Sequence, residues 1–392
     1  MLAFTFPGQG SQRAGMGRPW VDHESWELVD EASEVAGRDV GALLLDADAD
    51  ELTDTRNAQL TTFVSSLMVL DAVERLGIEA SFCAGHSLGE YTALAATGAL
   101  GFDEGVALVT ERAAAMHDAG NEHVGTMAAV LGLDDDQVAV ACDLADADVW
   151  VANFNAPGQV VIAGSPEGVE AAGAHAKDLG AKRIMSLQVS GAFHTSFMVP
   201  ARDRLRDAIA AADIRDTEIP VVSNVDAKPH DRGDEWISLL SAQLASPVRW
   251  KHGLQTMSSL GVTDFAELGP GGVLTGMAKR SVEGCRTISV ATPDDLDKLL
   301  AWIAADSNAA PAAMQPEGEH LFVAERVVVS PAAGIFTPRE FESGAPIDVG
   351  TVLGHVGEHE VRSPFQGSLQ SFIAVETERV TSRQPIAWLR TS

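Results

Sequence analysis

Gly85-His86-Ser87-Leu88-Gly89 decides how this chain is read. These residues follow a short apolar run, Ala80 to Ala84, and precede a segment of helical character, Glu90 to Leu100. A G-x-S-x-G at a strand-to-helix junction predicts a nucleophile elbow, because two glycines permit a turn sharp enough to present the serine hydroxyl. Ser87 could also be an ordinary helix N-cap, but its place between an apolar strand and a helix favours the elbow. A helix starting near Leu88 brings backbone N–H groups and a positive dipole end beside that hydroxyl. A serine nucleophile then needs a base, an oxyanion hole and a substrate-selecting group.

Outward from the elbow, residues 1–303 alternate short apolar runs with longer helical patterns, the mark of an α/β domain. Strands are expected at Leu2–Phe6, Ala80–Ala84, Val221–Asn224 and Asp264–Leu268. Between Gly125 and Val189 the order becomes strand (Thr126–Leu131), helix (Asp135–Leu144), strand (Val149–Asn153), strand (Gln159–Ala163), helix (Pro166–Leu179) and strand (Lys182–Leu187). This βαββαβ order predicts a ferredoxin-like subdomain, inserted at about residues 122–189. Residues 304–318 are rich in Ala, Pro, Ser, Asn and Gln and read as a linker. Residues 319–392 turn β-like, with Val/Ile runs broken by Gly and Pro about every 8 to 12 residues. That tail repeats itself. Ser330-Pro331-Ala332-Ala333-Gly334-Ile335 recurs as Ser363-Pro364-Phe365-Gln366-Gly367-Ser368, each copy followed by an apolar run, Thr351–Val356 and Ile386–Leu389.

Composition narrows the class. At 392 residues the chain is long enough for two or more cores. Fifty-six acidic residues against 27 basic ones give a net charge of −29, which argues against nucleic acid and anionic membranes as partners. The lysines are Lys177, Lys182, Lys228, Lys251, Lys279 and Lys298 alone. A Lys-poor, Asp-rich composition suits a salt-adapted cytoplasm, where self-repulsion is screened within about 3 Å at 1 M salt. No apolar run reaches the roughly 18 residues of a membrane span, and the N-terminus lacks the basic flank of a signal peptide. Cys83, Cys142 and Cys285 fit neither a disulfide framework nor metal-ligand spacing, so a reducing, cytoplasmic setting is expected without a metal or other cofactor.

Among the histidines, His194 stands in Val189-Ser190-Gly191-Ala192-Phe193-His194-Thr195, a loop at the end of the insert where pockets form. His86 adjoins Ser87, but neighbouring side chains diverge at such an elbow, so a structural role, by packing or hydrogen bonding, is expected. Arg112 lies four residues before Met116 on a helical face. Two readings of it stay open: a snorkelling surface residue, or a buried fork for a substrate carboxylate. Gly8-Gln9-Gly10-Ser11-Gln12 follows the first strand but matches neither phosphate-binding glycine motif.

Four separated motifs carry a resemblance. Pro7-Gly8-Gln9-Gly10-Ser11-Gln12, Ala84-Gly85-His86-Ser87-Leu88-Gly89-Glu90-Tyr91, Asn153-Phe154-Asn155-Ala156-Pro157-Gly158-Gln159 and Glu267-Leu268-Gly269-Pro270-Gly271 occur in this order. Residues 1 to about 300 thereby resemble the malonyl-CoA:acyl carrier protein transacylases. The resemblance implies a hydrolase-like large subdomain with a ferredoxin-like insert, and a malonyl group carried on Ser87 from malonyl-CoA to a carrier's phosphopantetheine thiol. It implies His194 as base, Arg112 for the malonyl carboxylate, Met116 as pocket wall, and the backbone N–H groups of Gln9 and Leu88 as oxyanion hole. It also implies Gln243 as the residue whose carbonyl orients the histidine, and Phe193 as a malonyl-preferring neighbour.

The rivals are a serine thioesterase or hydrolase, a polyketide-type acyltransferase, and a non-catalytic scaffold. Carrier proteins are acidic, so the basic pairs Lys182-Arg183, Arg249 with Lys251, and Lys279-Arg280 are candidate docking points. The tail resembles a biotinyl/lipoyl carrier domain, a small all-β barrel-sandwich of two similar halves. No lysine follows Lys298, so attachment of biotin or lipoate is not expected. The tail is then expected to be a degenerate carrier-like module used for docking a protein partner or for assembly.

Overall fold

The computed structural model describes residues 1–189, 191–307, 325–339, 341, 344–357, 359–375, 379–380 and 384–390. The chain divides into two compact units, Met1–Ala72 with Ala80–Ile303, and Val73–Glu79 with Ala304–Ser392.

In chain order the strands of the first unit are β1 (Leu2–Phe6), β2 (Phe82–Gly85), β3 (Thr126–Leu131), β4 (Val149–Ala156), β5 (Gln159–Gly164), β6 (Arg183–Ser186), β7 (Val221–Val222), β8 (Pro229–His230), β9 (Asp264–Leu268) and β10 (Arg286–Val290). Six of them form a sheet ordered β10-β9-β1-β2-β7-β8. Its pairings are parallel except that of β7 with β8. Helices cover both faces of a parallel sheet, which explains why β1 and β9 are buried along nearly their whole length. Thr5, the polar residue of β1, donates its hydroxyl to the Ala266 carbonyl at 3.3 Å.

The elbow leaves β2 at Gly85 and enters the helix Gly89–Ala96. Its two glycines are required by contact. A Cβ on Gly85 would lie 1.8 Å from the Gly89 carbonyl, and one on Gly89 would lie 2.1 Å from the Phe6 carbonyl oxygen. Ser87 itself is left-handed, with φ 54°, a conformation that costs a non-glycine residue about 1–3 kcal/mol.

The insert is an antiparallel sheet ordered β4-β5-β3-β6. Helices Asp135–Asp143 and Pro166–Asp178 bury Val138, Val169 and Ala172 against Val130, Val160 and Ile162. β4 runs past Asn153, where the sequence predicts its end, because irregular pairing with β5 at Val151/Asn153 and Phe154/Ala156 lets it continue to Ala156. Such bulges re-aim side chains, and here Asn153 and Asn155 both reach the main cavity. β7 stops two residues short of the predicted Asn224, whose side chain is committed to the elbow instead.

The helix Asp294–Ser307 carries regular structure past Ala304, where composition predicts the linker to begin. The rest of that linker, and residues 319–324, lie outside the described residues. The second unit follows with β11 (Glu325–Val329), β12 (Gly334–Pro338), β13 (Pro346–Ile347), β14 (Val352–Val356), β15 (His359–Arg362), β16 (Gly367–Phe372), β17 (Arg379–Val380) and β18 (Pro385–Arg390).

Two four-stranded sheets result, β11-β18-β16-β13 and β15-β14-β12-β17. Exchanging the first four strands for the last four converts one order into the other, so the sequence repeat is a structural one. The repeated serines behave alike. Ser330 and Ser363 are each 1% exposed and donate their hydroxyls two residues on, to Ala332 and Phe365. Their N–H groups meet the residue just ahead of each apolar strand, Gln384 and Thr351. Phe336, Leu353, Val356, Leu369, Ile386 and Leu389 fill the space between the sheets.

Replacing Gly89 by Ala should force β1 and the elbow helix apart. Overpacking of this kind costs about 1–3 kcal/mol, so the urea midpoint should fall accordingly; an unchanged midpoint would refute the close contact.

Candidate active site

Ser87 meets the base that the sequence names. Its hydroxyl donates to His194 Nε2 at 2.7 Å, and His194 Nδ1–H donates to the backbone carbonyl of Gln243 at 2.9 Å. Gln243 closes the helix Gly233–Gln243, where carbonyls lack the usual helical partner and can accept from outside. That bond fixes the tautomer, leaving the Nε2 lone pair aimed at the serine. His194 sits left-handed, at φ 62°, in a loop tied by the Thr195 hydroxyl to the Ala192 carbonyl at 2.6 Å. Burial, and then the charge of Arg112, push its pKa down to about 3, so the imidazole is neutral and able to take a proton.

Burial also decides between the two readings of Arg112. The residue is 1% exposed, in the helix Phe102–Glu122, and does not snorkel. Its Nη1 donates to Gln59 Oε1 at 2.6 Å, and its Nη2 to Gln243 Oε1 at 2.9 Å and Ser87 Oγ at 3.1 Å. The guanidinium also stands 5.3 Å from the centre of the Tyr91 ring. Those hydrogen-bond partners are neutral, so a cation lies beneath the serine ready for an anionic ligand group.

Both groups open into a cavity of about 410 Å³. Gln9, Met116, Phe193, Asn155 and Met277 are among its walls. Met116 shares the Arg112 helix face and accepts a hydrogen bond from Gln59 at its sulfur, 3.3 Å away. Six of the eight residues named from the sequence therefore line one space, and Gln243 stands behind it, bonded to Arg112 and His194. Leu88 differs: its side chain is fully buried and forms no wall, so only its backbone stands at the elbow. His86 borders the cavity and is tied by a hydrogen bond, one of the two structural roles expected of it. Burial lowers its pKa, and its Nε2–H donates to Asn155 Oδ1 at 2.8 Å.

Sequence patterns do not single out Gln59, Glu90 and Asn224. Glu90 and Asn224 hold the elbow from behind, with Asn224 Oδ1 accepting the Ser87 N–H at 2.7 Å. The signal for Glu90 is an acidic residue within a turn of Ser87; Gln59 and Asn224 carry no local signal. Among the described residues there is no cluster of three or more His, Cys, Asp or Glu able to hold a metal, and no helix long and apolar enough to cross a membrane.

Comparison with known proteins agrees with this geometry. Residues 3–296 match the acyl transferase domain family. The malonyl CoA-acyl carrier protein transacylase of Bacillus subtilis strain 168 is 41% identical over 301 residues, 76% of this chain and 95% of that protein. The chain belongs to the acyl transferase family, among the malonyl-CoA:acyl carrier protein transacylases. The Escherichia coli K12 enzyme of that name is 42% identical over 72% of this chain and 93% of its own. Among solved structures, the acyl-carrier-protein S-malonyltransferase of Burkholderia pseudomallei 1710b is 44% identical, with a TM-score of 0.74 over 76% of this chain and 99% of its own. A malonyl-transacylase solved in complex with a type II polyketide acyl carrier protein is 36% identical, with a TM-score of 0.74 and the same coverage.

The buried imidazole has a consequence in acid. Below the ordinary value of 6.5 the unfolded chain takes up a proton at His194 that the folded chain refuses until about pH 3. Stability therefore falls as pH drops through that window. His194→Gln should lose stability less steeply than the parent, by about 1.4 kcal/mol per pH unit. Urea midpoints at several pH values check this; parallel slopes would contradict it.

Proposed function

We propose that Ser87 takes a malonyl group from malonyl-CoA and passes it to the phosphopantetheine thiol of an acyl carrier protein. The observation that carries this reading is a buried guanidinium 3.1 Å from a serine hydroxyl, which is itself 2.7 Å from a neutral imidazole. His194 Nε2 takes the Ser87 proton as Oγ attacks the thioester carbonyl carbon. The oxyanion is received by the backbone N–H groups of Gln9 and Leu88, each such donor being worth about 10²–10³ in rate. The C–S bond then breaks, and His194 returns its proton to the departing coenzyme A sulfur. The carrier thiol enters by the same steps in reverse, leaving Ser87 and His194 as they began.

Arg112 selects the acyl group. A malonyl carboxylate fits its fork bidentately, and by drawing Nη2 from Ser87 it frees the hydroxyl for attack. Acetyl offers nothing to that cation. A hydrolase would place a carboxylate on His194 Nδ1, whereas here a backbone carbonyl stands there. Phe193 and Met116 shape the space around the malonyl carbon. For the carrier, Arg280 is the basic residue tied to the cavity wall, donating to Gln159. Lys251 is bound to Asp135 and is a poorer candidate for docking.

We infer further that the insert is a ferredoxin-like unit within a hydrolase-like large subdomain, a reading supported by the β4-β5-β3-β6 order. The exchange symmetry of the second unit supports a biotinyl/lipoyl-like barrel-sandwich. With no lysine after Lys298, that unit serves docking rather than prosthetic-group transfer. The acidic, lysine-poor composition fits a salt-adapted cytoplasm.

Intact-protein mass spectrometry after incubation with malonyl-CoA should show one malonyl adduct, absent in Ser87→Ala; labelling that survives the substitution would refute the nucleophile. Arg112→Ala should raise acetyl labelling relative to malonyl, whereas unchanged selectivity would remove Arg112 from recognition. Deleting residues 308–392 should leave turnover of malonyl-CoA with a small thiol acceptor intact, and loss of turnover would tie the second unit to the site.

A further inference from the structure

The structure assigns Glu90 as the positioning residue of this site: a buried carboxylate that fixes Ser87 through Asn224 and His194 through Gln243. The inference rests on the malonyl-transfer reading above. Glu90 lies in the first turn of the elbow helix and is 0% exposed. Its Oε1 accepts the Asn224 N–H at 2.5 Å, and its Oε2 accepts Gln243 Nε2–H at 2.6 Å. Each partner then grips the elbow. Asn224 Oδ1 accepts from Ser87 N–H, while Asn224 Nδ2 donates to the Gly85 carbonyl, both at 2.7 Å. Gln243 Nε2 also donates to the Ser87 carbonyl at 2.8 Å.

The chemistry of Glu90 sets which way the Gln243 amide points. Both groups facing Glu90 are donors, and an ionised carboxylate is the side chain that accepts on both oxygens. With its NH₂ drawn to Glu90, Gln243 turns Oε1 to Arg112 Nη2 at 2.9 Å, while its backbone carbonyl holds His194. Glu90 thus acts as an acidic member set back from the histidine, working through an amide rather than by direct contact.

Protonating Glu90 places an O–H against a donor and breaks one grip, so the site should loosen in acid. Burial raises the pKa to about 7; Arg112 opposes that rise and Asp226 adds to it. Tyr91, beside it in sequence, is pushed up to about 12 and stays neutral. His194 titrates far lower, at about 3, so a limb near neutrality belongs to Glu90.

The test compares Glu90→Gln with the parent in malonyl transfer from malonyl-CoA. A displaced nucleophile loses about 10²-fold in kcat, while KM should change far less than kcat, because Arg112 keeps its Gln59 bond and the cavity walls are untouched. The parent's kcat should fall tenfold per pH unit below the limb, and the variant's should be flat there. In a cycle with Gln243→Ala, the two losses should fail to multiply. Full activity of Glu90→Gln, a loss confined to KM, or losses that multiply would overturn the assignment. Should Glu90→Gln not fold, a parent kcat flat from about pH 5.5 to 8.5 would overturn it. A parent that takes no malonyl adduct would instead defeat the malonyl-transfer reading, which keeps the two failures apart.

Discussion

A serine held in a left-handed turn is the constraint on which the first unit depends. At φ 54° Ser87 is strained, and the surrounding structure must over-determine it. Two glycines clear the space, with Gly85 against Gly89 and Gly89 against the Phe6 carbonyl. Asn224 then ties the Ser87 N–H, and Gln243 ties its carbonyl. The parallel register of β1 with β2, which sets Phe6 beside Gly85, determines how close that helix can come. Sheet, turn and hydroxyl therefore form one mechanical unit.

Electrostatics follow from the same packing. Arg112, Glu90 and His194 are buried within one polar network, and water is replaced by amide groups of Gln59, Asn224 and Gln243. Burial first, and then the guanidinium, keep the imidazole neutral; in the proposed function that guanidinium receives the carboxylate of the substrate. A buried cation with neutral hydrogen-bond partners costs stability. The Glu90 carboxylate acts on it only without direct contact, and in the proposed function a malonyl carboxylate becomes its direct charged partner.

The elbow, the βαββαβ order and the repeat in the tail are legible in the amino-acid sequence because each rests on local pattern. Small residues mark a junction, strands alternate with helices, and a Ser-Pro turn recurs. His194, Arg112 and Gln243 are legible through the family resemblance, because residues so far apart in the chain leave no mutual signal in composition. Asn224 reads as strand because Val221 and Val222 precede it, yet the elbow's open N–H claims its side chain. β4 outruns its expected end, since irregular pairing lets polar residues continue a strand. The helix Asp294–Ser307 enters the expected linker, whose alanines suit a helix as well as a spacer.

What separates a transacylase from a hydrolase on this scaffold is the fate of the acyl-serine. A carbonyl rather than a carboxylate behind His194, with Arg112 in its proposed role of holding the malonyl tail, predicts an ester that resists water and yields to a carrier thiol. The direct measurement is the lifetime of malonylated Ser87 in buffer and after adding an acyl carrier protein bearing phosphopantetheine, followed by intact mass. The adduct should persist in buffer and move to the carrier on mixing. Release as free malonate at the same rate with or without the carrier would contradict malonyl transfer.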